Sequence, residues 1–176
     1  MLPQIPIDVD AATGVWLTDG LPMIYVPRHF FVNNHLAIEA ALGRESYSAL
    51  LYDAGYKSAY TWCAHEAQSQ RLDGIAVFEH YLKRLSQRGW GLFSFAHLDT
   101  AAGTAQVKLD HSSFVLANPG ARGRVCYMFA GWFAGAMDWV KRNDTVLTRS
   151  AEIQCRGEGH DHCLFAIHPQ QLEPQR

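Results

Sequence analysis

Residues 152–163 read Glu152-Ile153-Gln154-Cys155-Arg156-Gly157-Glu158-Gly159-His160-Asp161-His162-Cys163, and no other stretch limits the possible folds as tightly. The pattern on either side predicts two strands, 145–155 and 163–168, meeting across a glycine-containing loop. Cys155 and Cys163 then stand at the facing ends of a hairpin. Thiolates are soft ligands that suit the tetrahedral shell of zinc, and a hairpin is a rigid way to hold two of them. A third cysteine, Cys126, opens a helix predicted over 124–141, where the helix dipole and unpaired amides favour a thiolate. A carboxylate or an imidazole completes such a shell, and the candidates are Glu152, His160 and His162. Glu152 and Cys155 are three apart, and residues three apart in a regular strand face opposite ways. Glu152 can join the cysteines only if the strand twists, bulges or ends near Gln154. The same residues allow blander readings. Cys155 and Cys163 share the parity of Ile153, Phe165 and Ile167, which fits buried core thiols. A cross-strand disulfide is sterically possible. His160 and His162 lie in a polar loop and read as solvated, and Cys63, in a helical stretch, reads as core.

Composition bears on which cysteine reading holds. The chain has 176 residues, 48% of them apolar and 18% charged, with a net charge of −2. That suits one domain, residues 1–176, with a real core, and argues against disorder. Nucleic acid and acidic membrane surfaces call for a basic patch that this charge balance does not supply. No apolar run reaches the roughly 20 residues of a membrane span, and residues 1–14 lack the pattern of a secretory signal. The expectation is a cytoplasmic protein, where thiols stay reduced and clustered cysteines bind metal more often than they pair.

The rest of the chain reads as helices first and strands later. Strand-like residues 15–17 and 23–26 flank a turn at Thr18-Asp19-Gly20. Helices are predicted over 30–42, stopped by Gly43, over 44–70, interrupted or kinked at Gly55, and over 75–87, where Val77, Phe78, Tyr81, Leu82 and Leu85 fall at helical spacing. Strands 90–97 and 104–109 form a hairpin, and a short segment, 113–117, precedes the loop 118–123. The helix over 124–141 carries Val125, Met128, Phe129, Trp132, Phe133, Ala136, Met137 and Val140 on one broad stripe. Residues 169–176 read as a frayed tail. The expected fold class is α+β, with helices packed on a mainly antiparallel sheet.

The pattern Glu152-x2-Cys155-x3-Gly159-x3-Cys163-x-Phe165, with Cys126-x4-Gly131-Trp132-x2-Gly135 upstream, resembles the 4-vinyl reductase domain family. It is similar to the input domains of bacterial transcriptional activators of aromatic catabolism. The motif-bearing part is 126–168. The resemblance implies the fold shared with small subunits of TRAPP tethering complexes, a ligand pocket near the metal, and a homodimer. It implies zinc held by Cys126, Glu152, Cys155 and Cys163, which favours Glu152 over the histidines. The sequence also departs from those sensors. Aligned on Ser113-Phe114, the tryptophan with which they hold a phenol hydroxyl falls near Asp110, and a tyrosine of their helix becomes Ala136. Phenol specificity is therefore not carried over, and no P-loop of the fused ATPase is present.

Candidate pocket residues are Trp90, Phe93, Phe95, Phe114, Phe129, Trp132 and Phe133, with His97, Asp110 and His111 as polar groups to orient a ligand. The aromatic residues serve equally well as ordinary core. Gly131 and Gly135, four apart on one helical face, admit another backbone or a ligand, and helix packing is the commoner reason. The leading expectation is a small-molecule-binding, sensor-like domain with a structural zinc. The alternative is a reductase-like enzyme or accessory protein acting on a small or tetrapyrrole substrate, although no dinucleotide fingerprint follows a strand. A protein-interaction scaffold, by fold analogy, is the third.

Overall fold

The computed structural model describes residues 5–142 and 145–170. It has the expected α+β architecture. Three short strands, β1 (Asp8–Val9), β2 (Trp16–Thr18) and β3 (Leu21–Met23), form an antiparallel meander. Thr18 pairs with Leu21, so Asp19-Gly20 is a two-residue turn. Both of its residues have positive φ, 54° and 75°, which is why the turn is Asp-Gly. β3 stops earlier than the sequence pattern predicts: Ile24 lies beyond it and is 84% exposed.

Three helices follow: α1 (Arg28–Leu42), α2 (Arg44–Gln70) and α3 (Ile75–Gln87). Gly43 ends α1 as expected, with φ of 76° and its N–H bonded to the Glu39 carbonyl. α2 is one continuous helix across Gly55. That glycine is there for a ring: a Cβ would fall 2.3 Å from Cδ1 of Trp132.

The larger sheet is antiparallel, in the order β4 (Leu92–Asp99), β5 (Thr104–Asp110), β7 (Cys163–Pro169), β6 (Thr148–Gln154). Between β5 and β6 the chain makes a short helix, α4 (Ser113–Ala117), and a longer one, α5 (Phe129–Val140). The expected loose tail lies outside the described residues beyond 170, and Pro169 still belongs to β7. Among the described residues no helix is long and apolar enough to cross a membrane.

α5 is the centre of the core. One side meets the sheet, with the Phe133 and Phe165 rings 5.0 Å apart and edge to face. Its glycine side meets the backbone of α2. The helix starts at Phe129 rather than at 124, so Cys126 precedes it instead of opening it. The physical reason is competition for the backbone. The Cys126 N–H donates to Glu152 at 2.9 Å, and the Cys126 carbonyl accepts from Phe129 N–H at 3.1 Å in a turn that leads into the helix.

Near the end of α5, Asp138 is buried. Its carboxylate accepts from the Thr148 N–H at 2.9 and 3.1 Å and from the Tyr56 hydroxyl at 2.9 Å. One side chain therefore ties α5 to α2 and to the first residue of β6. Asp138→Ala strands the buried Thr148 N–H and the half-buried Tyr56 hydroxyl and should lower stability by about 2–3 kcal/mol, read as a lower urea midpoint at unchanged slope.

Candidate metal centre

The parity conflict between Glu152 and Cys155 is resolved by a β-bulge. In the β6–β7 ladder Glu152 pairs with Phe165 and Gln154 with Leu164, so Ile153 is the extra residue. Ile153 turns out to solvent, and Glu152 turns inward, 6% exposed. Cys155 lies just past the end of β6 and caps a 3₁₀ turn, Arg156–Glu158. Its N–H donates to the Glu158 carboxylate at 3.0 Å. Gly159, with φ of 97°, reverses the chain toward Cys163.

Within this knuckle two amides point at sulfur: Gly157 N–H toward Cys155 and Arg156 N–H toward Cys163, each at 3.4 Å. The loop carrying Cys126 docks on the same turn. Gly123 N–H bonds to the Gly157 carbonyl at 3.1 Å, and a Cβ on Gly157 would lie 2.4 Å from the Gly123 carbonyl oxygen. Only glycine allows that approach. Arg124 straps the arrangement from outside, bonding to Glu158 at 3.1 Å and to the Glu152 carbonyl at 3.2 Å.

The three sulfurs converge. Cys126 and Cys155 each lie 3.6 Å, sulfur to sulfur, from Cys163. With one Glu152 oxygen they form a buried set of four ligand atoms within 4.8 Å of one another. A tetrahedral zinc with Zn–S near 2.3 Å needs sulfurs about 3.8 Å apart. The carboxylate fits too. Its Oε2 accepts from Cys126 N–H at 2.9 Å, while its Oε1 is buried with no hydrogen-bond partner among the described residues.

Electrostatics point the same way. Burial, together with the neighbouring Cys155, pushes the Glu152 carboxyl up to about 9. The Cys126 thiol is pushed far above its usual range by its bonds to Cys155 and Cys163 and by burial. Cys155 is held well below, since the thiols of Cys126 and Cys163 stabilise its thiolate. Four acidic groups crowded out of water thus oppose one another's ionisation. A divalent cation removes that conflict by replacing the shared protons.

Of the expected site residues, Cys126, Glu152, Cys155 and Cys163 come together. His160 is exposed and His162 half-buried, and neither joins the set. Trp90, Phe93, Phe114, Phe129, Trp132 and Phe133 form one connected body of rings, with Phe129 at 5.3 Å from Phe93, 5.7 Å from Phe114 and 5.2 Å from Trp132. Trp90 stands on Trp132 at 5.3 Å, and Phe95 packs against Phe78 at 5.1 Å. The polar trio does not gather there. His97 and His111 are exposed, and Asp110 pairs with Lys108 at 2.9 Å.

A different polar group adjoins the rings. His35, buried on α1, lies 4.8 Å from Phe114 and 5.4 Å from Tyr127, ring to ring. The Tyr127 hydroxyl donates to Glu39, which also pairs with Arg44 at 3.2 Å. The sequence analysis missed these residues. The available signals were the i, i+4 spacing of His35 and Glu39 and the position of Tyr127 beside a ligand cysteine.

No curated protein matches the sequence. Among solved structures, the fold is similar to the phenol-responsive sensory domain of the transcription activator PoxR with phenol. That match has a TM-score of 0.76 at 17% identity, covering 93% of this chain and 84% of that one. It is similar to trafficking protein particle complex subunit 3 from Naegleria fowleri, at a TM-score of 0.58 and 11% identity over 84% of this chain and 98% of that one. It is similar to a vinyl-4-reductase family protein from Methanocaldococcus jannaschii, at 0.55 and 15% over 85% of each. These are the fold relationships that the pattern from Cys126 to Phe165 implies. The N-terminal half, where the sequence analysis found no motif, carries the family assignment: the model described as "Domain of unknown function (DUF5943)" matches residues 1–96, and the chain belongs to that family.

Proposed function

We propose that this chain is a small-molecule-binding, sensor-like domain, one unit over residues 1–176, stabilised by a zinc ion on Cys126, Glu152, Cys155 and Cys163. The observation that carries this reading is the closed shell. Four buried side chains stand close enough to give one ion four protein ligands, and a zinc so held would have no position left for water or substrate, which is the pattern of a structural site. The ion would supply a cross-link between the β6–β7 hairpin and the entry to α5.

That entry leads directly into the rings at Phe129 and Phe133. In this reading Trp90, Phe93, Phe95, Phe114, Phe129, Trp132 and Phe133 supply the apolar side of a ligand site. The likeness to a sensory domain solved with phenol supports the class of function and not the ligand. Ala136 and the Asp110–Lys108 pair stand where phenol recognition is expected, so a different ligand is proposed. We further propose a homodimer acting in the cytoplasm.

Native mass spectrometry of freshly purified protein tests the reading. The expected spectrum has one zinc per chain, a dimer, and an adduct of small-molecule mass that disappears on denaturation. A spectrum with neither metal nor adduct overturns it.

A further inference from the structure

A cleft of about 340 Å³ opens between α1 and residues 114–125, at the edge of the ring cluster. Its volume is at the small end of ordinary ligand sites, enough for one ring and a polar group. Its apolar floor is Val32, Phe114 and Val125, and Phe114 is also part of the ring cluster. Two basic side chains and one acidic one line it: Arg44, Arg122 and Glu39.

The acid is already satisfied. Glu39 holds Arg44 and accepts the Tyr127 hydroxyl, and the Arg44 guanidinium lies 5.3 Å from the centre of the Tyr127 ring. Arg122 makes no ion pair or hydrogen bond among the described residues, so its positive charge is left over.

His35 supplies the second unmet need. It is 4% exposed, and its Nδ1 has no hydrogen-bond partner. Because the Tyr127 hydroxyl donates to Glu39, the Tyr127 oxygen faces His35 Nε2, at 3.3 Å, as an acceptor. Nε2 must therefore carry the ring proton, and Nδ1 of the neutral ring is an unfilled acceptor. Buried polar atoms are seldom left in that condition without a reason.

One chemical group answers both needs. A carboxylate that takes up one proton from water as it binds meets both: one oxygen accepts from the guanidinium, and the proton lies between the other oxygen and the imidazole nitrogen. We propose that this cleft binds a small organic acid, a monocarboxylate with an apolar or aromatic body lying on Val32, Phe114 and Val125. This rests on the small-molecule reading above and names its ligand class.

The test is isothermal titration of the full-length, metal-loaded protein with benzoate and 2-naphthoate, and with benzyl alcohol as the uncharged probe. At least one acid should bind saturably, and benzyl alcohol should bind roughly tenfold more weakly, the usual scale for losing a charge-assisted contact. Arg122→Gln, an exposed change that leaves circular dichroism and zinc content as in the wild type, should weaken the acid by roughly tenfold and leave benzyl alcohol unchanged. Saturable binding of benzyl alcohol without binding of either acid, or acid binding indifferent to Arg122→Gln, overturns the organic-acid assignment and leaves a small-molecule binder. No binding by any probe, with no adduct in the native spectrum, overturns both.

Discussion

Cys163→Ser should strip the metal from the purified protein and lower its melting temperature by about 10–20 °C. Cys163 is the sulfur that lies 3.6 Å from each of the other two, and its backbone pairs with Leu109 on β5, so it joins the knuckle to the middle of the sheet. Serine keeps the shape and offers a hard, weakly acidic oxygen in place of a thiolate, which zinc binds far less well. The apparent binding energy of zinc in small finger peptides is about 10–16 kcal/mol, and it is their folding energy. This chain also has a large apolar core, so a metal on these four ligands would contribute only a part of its stability. A loss of about 5 kcal/mol, at 2–4 °C per kcal/mol for a chain of this size, gives the stated shift. Elemental analysis reads the metal and differential scanning fluorimetry the stability. A strong chelator should bring the wild type down toward the variant and leave the variant where it is. Cys63→Ala supplies the comparison: that thiol is equally buried but lies outside the set, so the variant should keep its zinc. A wild type indifferent to the chelator would make the three cysteines ordinary core and remove the metal from the account.

The centre was legible because its chemistry is local. Cys155 and Cys163 are eight residues apart across one hairpin, and strand parity even stated what Glu152 required, a distortion near Gln154. The bulge at Ile153 is that distortion. What spacing could not decide was the ligand: it left Glu152 level with His160 and His162, and the bulge exists only against the register of β7. Helix ends were less legible for a related reason. Residues 124–128 have a helical pattern, yet their backbone bonds to the hairpin, a contact that depends on a segment 26 residues away, as in the bond from Cys126 to Glu152. Gly55 looked like a break in a helix and is a seat for Trp132, which lies on a different helix. The His35 cluster was invisible because it needs α1 folded against α4 and the start of α5 before His35, Glu39 and Tyr127 can meet. His97, Asp110 and His111 were chosen by their places relative to the sensor pattern, and local geometry keeps them from the rings: a bulge at Ala96 breaks the alternation of β4 and turns His97 out, Asp110 ends β5 beside Lys108, and His111 stands in the turn that follows.

Gly131→Ala should destabilise the chain by about 3–5 kcal/mol while leaving the metal in place. On helix propensity alone the substitution would help, since alanine is favoured over glycine by about 1 kcal/mol in a helix interior. The packing reverses the sign. A Cβ at Gly131 would lie 2.1 Å from the Tyr52 carbonyl oxygen, and one at Gly135 would lie 2.2 Å from that of Tyr56. Both obstacles are backbone of α2, so no side chain can rotate away and the helices themselves must part. Parting them pulls on the Tyr52 hydroxyl, which accepts from Ser150 N–H at 3.2 Å, and on the Tyr56–Asp138 bond at 2.9 Å. The spacing of four on both helices makes this a single seam, so Gly135→Ala added to Gly131→Ala should cost less than it does alone: the first separation relieves the second clash. Gly120→Ala, where the nearest atom would be a side-chain oxygen at 3.8 Å, should change stability by no more than about 0.5 kcal/mol. Urea unfolding of the wild type and these four variants, with zinc measured on each, separates this seam from the metal centre. A stable Gly131→Ala would show that α2 and α5 can slide apart freely, and zinc lost from it would show that the seam and the centre act as one unit.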